Sequence, residues 1–345
     1  MQLIINYRGH KLFTSIFASQ YTQHMFKSFG TLLAGILCLS AQAQTGCTDP
    51  ASKNYNVAAK LNDGSCKYDS THYQPQRVAE LPSTISETSG LIWDDGNLWT
   101  MNDSDSPAEF YKIDSADGRI IQTVHVDKYP NVDWEEMTAD ADYLYIGDFG
   151  NNAGRRRDQK ILKIAKKDIG TGSDVHVKAE AISISYSDQT DLEPEAYKHN
   201  FDCEAMISIG DSLYLFTKNW GDFGTKVYKL AKTPGKYRIS PYDSFSVNGL
   251  ITGAAYNKGT KEIILLGYTN WSKYSMMWFL NGYTGDHFFS GNKQRVDMGN
   301  GQSWQTEAVC FMPGGGFYIS NETAGPNSAA IYTSHGAILL HHSKR

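Results

Sequence analysis

The chain has 345 residues, 41% of them hydrophobic and 20% charged, and a formal net charge of −5. That balance fits a packed globular core and excludes a disordered chain. Only Arg155, Arg156 and Arg157 form a basic cluster, which reads as a surface turn, so a nucleic-acid backbone is excluded as the main partner.

Residues 1–44 hold Arg8, Lys11 and Lys27 and no acid, which leaves the rest of the chain more acidic than the whole. Residues 25–44 read MFKSFGTLLAGILCLSAQAQ: an early lysine, an apolar stretch too short to span a bilayer, and small residues at Ala41 and Ala43. These features predict a cleavable signal peptide that starts at Met25 and is cut after Ala43. A secreted, periplasmic or cell-surface protein of a Gram-negative bacterium is therefore expected. Cys38 follows Leu37 rather than small residues, which argues against lipid anchoring. No later apolar run is long enough for a transmembrane segment in the mature chain.

Residues 45–70 read as a small module. Cys47 and Cys66 bracket a polar loop rich in Asn, Asp and Gly, and export permits a disulfide between them. Asp49, Asn56 and Asp63 offer oxygens of the kind Ca²⁺ takes, while the disulfide alone is enough to order so short a loop. Gly46, Cys47, Asp49, Pro50, Asn54, Tyr55, Asn56, Asn62, Asp63, Gly64, Ser65, Cys66 and Tyr68 match a short cysteine-bracketed repeat of secreted Bacteroidetes proteins. The segment thus resembles a relative of the thrombospondin type 3 calcium repeats. The later cysteines, Cys203 and Cys310, sit in corresponding apolar strands and read as buried free thiols.

Residues 76–345 alternate period-2 apolar runs with Gly, Asn and Asp turns, and no long stretch keeps a helical period. The fold class is all-β. Five units align on first strands that begin SETSGLIW at Ser86, DWEEMTAD at Asp133, DCEAMISI at Asp202, ITGAAYN at Ile251 and QTEAVCFM at Gln305. Each is followed by a turn, a second strand (NLWTMND, YLYIGD, SLYLFTK, EIILLGY, GFYISNE) and a third. Such repetition predicts a five-bladed β-propeller, preceded by the small disulfide-closed module. Residues 168–200 leave room for a degenerate sixth blade. The strand near residues 76–81 precedes the first unit and is expected to close the ring as the last blade's outer strand.

The alignment places Glu87, Glu135, Glu204 and Glu307 at one register position, with Gly253 in the fourth unit. In an antiparallel hairpin the start of the first strand and the end of the second share an edge, so Asp103, Asp148, Lys218, Tyr268 and Glu322 join them at one mouth. Crowded carboxylates raise one another's pKa and require protons, a basic partner or a metal. Hard oxygens without paired His or Cys favour Ca²⁺ or Mg²⁺, and Ca²⁺ is expected on Glu87, Glu135, Glu204, Glu307, Asp103 and Asp148. The competing reading makes each glutamate a strut that accepts hydrogen bonds from a neighbouring blade or from Lys218.

Polar loops at 102–107, 147–157 and 218–224 leave the same mouth, and Lys218, Tyr268, Glu322, Asn151 and Arg155 are its candidate ligand-binding residues. Arginine forks at Arg155 to Arg157 suit a phosphate, whereas Trp220, Trp271 and Tyr268 suit a sugar ring. The expected partner is an extracellular phosphorylated small molecule or a glycan. No Walker loop, HExxH or nucleophile elbow occurs, so no catalytic residue is assigned and enzymatic activity stays open.

Across about residues 80–335, SETSGLIWDDGNLWTMNDSDSP, DWEEMTADADYLYIGDFGNNAGRRR and DCEAMISIGDSLYLFTK resemble a family of secreted phytase-like or NHL-like propellers. A weaker similarity is to calcium-dependent apyrases, five-bladed propellers whose channel glutamates hold Ca²⁺. That resemblance implies a metal role for Glu87, Glu135, Glu204 and Glu307 and, as an alternative function, Ca²⁺-dependent phosphoric-ester hydrolysis. Gly253 departs from the pattern.

Overall fold

The computed structural model describes residues 44–269, 274–299 and 304–334. The predicted signal segment, with Met25 and Cys38, lies outside them up to residue 43, as does Trp271. Among the described residues no helix is long and apolar enough to cross a membrane.

Strand sequences here are apolar on both faces, because each sheet is packed on two sides. In the third repeat, Leu213 and Leu215 face one neighbouring sheet with Met206, while Tyr214 and Phe216 face the other with Ala205 and Ile207. Five such apolar clusters fill five seams between sheets. The architecture is all-β. Blade 1 runs from the channel outward as Thr88–Asp94, Asn97–Asn102, Glu109–Ile113 and Ile120–Asp127. Blade 2 is Trp134–Ala139, Tyr143–Asp148, Lys160–Ala165 and Asp174–Tyr186, and blade 3 is Asp202–Ile209, Ser212–Lys218, Thr225–Ala231 and Pro241–Phe245. Leu250–Asn257, Glu262–Thr269, Tyr274–Asn281 and Asn292–Met298 form blade 4. Blade 5 is Thr306–Phe311, Phe317–Asn321 and Ala330–Thr333, completed by Gln76–Glu80.

The innermost strands touch in cyclic order, blade 5 returning to blade 1, so the ring is closed and the fold is a five-bladed β-propeller. Gln76–Glu80 pairs antiparallel with Ala330–Thr333 and hides the last blade's edge, as the sequence suggested. Residues 168–200 hold no sixth blade. Their long strand, Asp174–Tyr186, is the outer strand of blade 2, and its first half pairs parallel with the outer strand of blade 1.

Cys47 and Cys66 form a disulfide, and the loop they close rests on blade 4, where Asn62 donates to Asn292 at 2.7 Å and Lys293 donates to the Gly64 carbonyl at 3.2 Å. Asp49, Asn56 and Asp63 use side-chain oxygens within the loop itself. Their side-chain oxygens accept the backbone N–H groups of Ala51, Ala58 and Ser65, the local turns to which Asx residues are suited. Cys203 and Cys310 are buried free thiols.

Candidate functional site

Every inner strand carries a register irregularity at the same place. The unpaired residues are Ser89 and Gly90, then Glu135, Glu204, Thr252 and Glu307 in blades 2 to 5. A bulge re-aims the side chain it displaces. Here it turns Glu135, Glu204 and Glu307 into a cavity of about 240 Å³ at one mouth of the channel. Asp103, Asn152, Tyr197, Lys218, Trp220, Tyr268 and Gln305 complete its lining.

The structural register corrects the aligned one. Glu87 is two residues before its blade's irregularity, at the position of Asp133 and Asp202, and it does not line the cavity. In blade 4 the equivalent residue is Thr252, which spends its hydroxyl on the Thr306 carbonyl at 2.7 Å. Asp148 pairs with Trp134 across the hairpin, one place short of the mouth, and is fully buried. Its carboxylate is held by Arg156 and Lys160, both at 2.7 Å, so it is committed to these cations inside blade 2. Asn151 is likewise buried, donating to the Phe201 carbonyl at 3.1 Å and accepting the Arg156 N–H. Arg155 is exposed and pairs with Glu193 at 3.2 Å, away from the cavity lining. Glu322 is buried behind the mouth. Burial, then the charges of Glu87 and Asp103, push its pKa up to about 9.

Two aspartates were missed. Asp133 and Asp202 stand two residues before Glu135 and Glu204, and the repeated Asp-x-Glu of DWEEM and DCEAM was the available signal. The structure brings one ligand atom each from Asp103, Asp133 and Glu135 within 4.8 Å of one another, and does the same for Glu135, Asp202 and Glu204. The two sets differ in what already occupies them. Asp202 accepts the Asn151 N–H at 2.7 Å and the Trp220 indole N–H at 2.8 Å. Glu204 receives Lys218 on both oxygens, at 2.6 and 2.7 Å, in a fully desolvated pair. Burial works against the Lys218 charge, but Glu204, Tyr268, Glu307 and Asp202 together outweigh it and hold the amine protonated. Its ammonium also stands 5.0 Å from the Trp220 ring and 5.2 Å from the Tyr268 ring.

Asp103, Asp133 and Glu135 crowd one another, with Asp103 also accepting the Ser104 N–H. Burial, then neighbouring acids, raises Asp133 to about 7, and burial raises Asp103 to about 6. Glu135 is pushed well above the usual carboxylate range by burial, then by Asp103 and Glu204. Arg156 reaches Asp133 only at 3.7 Å, its shorter contacts going to Asp148 and Asp158. Gly150 permits the crowding: a Cβ there would collide with Glu135 Oε1 and stand 2.6 Å from Asp133 Oδ2.

A third missed acid lies deeper. Glu136 is fully buried, and its carboxylate accepts the N–H of Met137 and of Ala254, each at 2.9 Å, with the backbone of Leu91 and Met206 close by. Backbone from four blades therefore surrounds one side chain. At the same register the other blades carry Gly90, Ala205, Gly253 and Ala308, whose small size leaves the channel open to it.

No family model matches the chain, and no curated protein matches it. Solved structures similar to it include Kuenenia stuttgartiensis hydrazine synthase, with 11% identity over 74% of this chain and 58% of that one, at a TM-score of 0.36. A GH43_1 enzyme from Xanthomonas citri has 13% identity over 73% of this chain and 88% of that one, at 0.41. A glucose dehydrogenase has 9% identity over 75% of this chain and 99% of that one, at 0.44. The chain spans well under two thirds of the hydrazine synthase chain. At such distances the likenesses assign no activity, and the propeller stands on its own strand pairing.

Proposed function

We propose that the protein is an extracytoplasmic binding propeller whose mouth holds a hard divalent cation, Ca²⁺, at Asp103, Asp133 and Glu135, and receives a carbohydrate beside it. One observation carries the reading. Three carboxylates, Glu135 buried and Asp103 and Asp133 half-buried, share a space of 4.8 Å, while the nearby cations Arg156 and Lys218 are spent on Asp148 and Glu204. Such a group requires protons or a cation, and all-oxygen donors suit Ca²⁺. The Cys47–Cys66 disulfide supports an oxidising compartment.

Support for a sugar over a phosphate comes from what surrounds the cavity. Arg155 and Arg157 are spent on Glu193 and on the Gly154 and Leu192 carbonyls, so no free arginine fork remains from that loop. A second hollow of about 400 Å³ adjoins the first, sharing Tyr197 and Trp220 and adding Phe223 and Leu250. Aromatic faces beside polar groups match the alternating apolar and hydroxylated faces of a sugar ring.

Ca²⁺ titration calorimetry on the full chain at pH 5.5 and 7.5 tests the cation reading. Binding at pH 7.5 should be weakened at pH 5.5, because Asp103 and Asp133 then carry protons, and Glu135→Gln should abolish it. The raised carboxyls also fix a sign. Their stabilising contribution is complete below the unfolded pKa of about 3.9 and is lost as pH rises through about 6 and 7. Metal-free protein should therefore melt at lower temperature at pH 8 than at pH 5, and Ca²⁺ should remove the difference. A cation at a hundred times its Kd adds about 2.7 kcal/mol. No heat of binding at pH 7.5 together with no effect of EDTA on melting would refute the proposal.

A further inference from the structure

The edge of the propeller carries a second constellation with different chemistry. Where the outer strands of blades 1 and 2 pair in parallel, His125 lies directly opposite His176, and their rings stack with centroids 4.5 Å apart. Asp174, on the same strand face as His176, places Oδ1 3.2 Å from His125 Nε2. One ligand atom from each of the three lies within 4.8 Å of the others.

The Nδ1 atoms of both rings are already engaged. His125 Nδ1 is 3.0 Å from Glu109 Oε1, and Glu109 is itself held by the Tyr111 hydroxyl at 2.9 Å. His176 Nδ1 is 2.9 Å from Asp127 Oδ1. A carboxylate on one nitrogen of each imidazole places the N–H there, leaves the lone pair on Nε2, and makes that nitrogen a stronger ligand. In that tautomer His125 Nε2 and Asp174 Oδ1 are two acceptors facing each other, an arrangement that requires a proton or a metal ion between them.

We propose that His125, His176 and Asp174 form a binding site for a first-row transition metal of the Zn²⁺ class, with Glu109 and Asp127 orienting the two imidazoles. Two imidazoles and a carboxylate, with a water in the fourth place, are a donor set for Zn²⁺ and its Cu²⁺ and Ni²⁺ neighbours, not for the hard cation suited to the mouth. Parallel rings cannot both aim an in-plane lone pair at one ion. His176, whose side chain is 64% exposed against 27% for His125, therefore turns about its Cβ–Cγ bond on binding. The bound ion ties together the outer edges of two blades that a short parallel ladder already joins.

Zn²⁺ titration calorimetry on the full chain, with Ca²⁺ in excess to occupy the mouth, tests the site, and Co²⁺ provides a visible absorption readout. One equivalent should bind. His176→Ala should weaken Zn²⁺ at least tenfold, Asp127→Asn should weaken it about tenfold or more, as loss of an orienting carboxylate does, and Glu135→Gln should leave it unchanged. His176 is exposed, so an unaltered metal-free melting temperature confirms that the variant folds. Absence of Zn²⁺ binding to wild type, or wild-type affinity in folded His176→Ala, overturns the proposal. Loss of Zn²⁺ binding in Glu135→Gln would place the ion in the mouth instead and equally overturn it.

Discussion

Removing the Glu136 side chain tests how the channel is held together. The Glu136 carboxylate accepts the backbone N–H groups of Met137 and Ala254, each at 2.9 Å, and the residue is fully buried. A buried donor left without an acceptor costs about 1–3 kcal/mol. Glu136→Ala strands both, so even the lowest value for each gives a loss of about 2 kcal/mol. Glu136→Gln keeps one acceptor oxygen and turns the other into an amine aimed at donors, so roughly half that loss is expected. Urea unfolding of the wild type and both variants, followed by fluorescence and by circular dichroism, measures the difference. In thermal terms, about 2–4 °C per kcal/mol in domains of 150–250 residues turns the alanine loss into about 4 °C or more. A Glu136→Ala protein within about 1 kcal/mol of wild type would mean that water replaces the carboxylate at little cost. The axial side chain would then be filler and not a fastener.

Two further perturbations separate the parts of the mouth. Lys218→Met leaves Glu204 buried without its lysine, a change that costs about 3–5 kcal/mol in comparable pairs. The unpaired Glu204 has a raised folded pKa, so the loss should be largest at pH 8 and shrink toward pH 5 as the carboxyl takes a proton, and the double change Glu204→Gln with Lys218→Met should recover most of it. Equal destabilisation at both pH values, read by urea unfolding, would contradict this account. Gly150→Ala should lower Ca²⁺ affinity at least tenfold in calorimetry, because its methyl group takes the space of the Glu135 carboxylate. Unchanged affinity would show that the ion does not sit against Gly150.

The ring was legible because each blade buries both faces, and two-sided burial writes itself into sequence as short apolar strands between turns. Closure by Gln76–Glu80 could be anticipated for a related reason: an orphan strand before the first repeat has one open edge to cover. The strand Asp174–Tyr186 could not be placed. Its alternation shows a strand, but it has three partners, in its own blade, in blade 1 and at Gly235–Ile239 between two strands of blade 3, and two of those pairings are parallel and non-local. Sequence spacing holds no record of such a partner.

The mouth was harder to read for a reason that lies in one backbone feature. Aligning glutamates assumes an unbroken period of two, and every inner strand breaks that period at the point where the acidic residues stand. The break explains each displacement in turn. Glu87 aligns with Asp133 and Asp202 once the two-residue irregularity of blade 1 is counted, Thr252 replaces Gly253, and Asp148 falls inside its blade. It also explains why Asp-x-Glu is the informative pattern. On a regular strand those two residues share one face and would compete for one site, whereas the irregularity lets Asp133 and Glu135 approach a common point from the same strand. A single blade can thus supply two carboxylates to one ion, and Asp103 from the neighbouring blade supplies the third. The proposed cation site then depends on the seam between blades 1 and 2 at the channel end, just as the proposed histidine site depends on that seam at the rim.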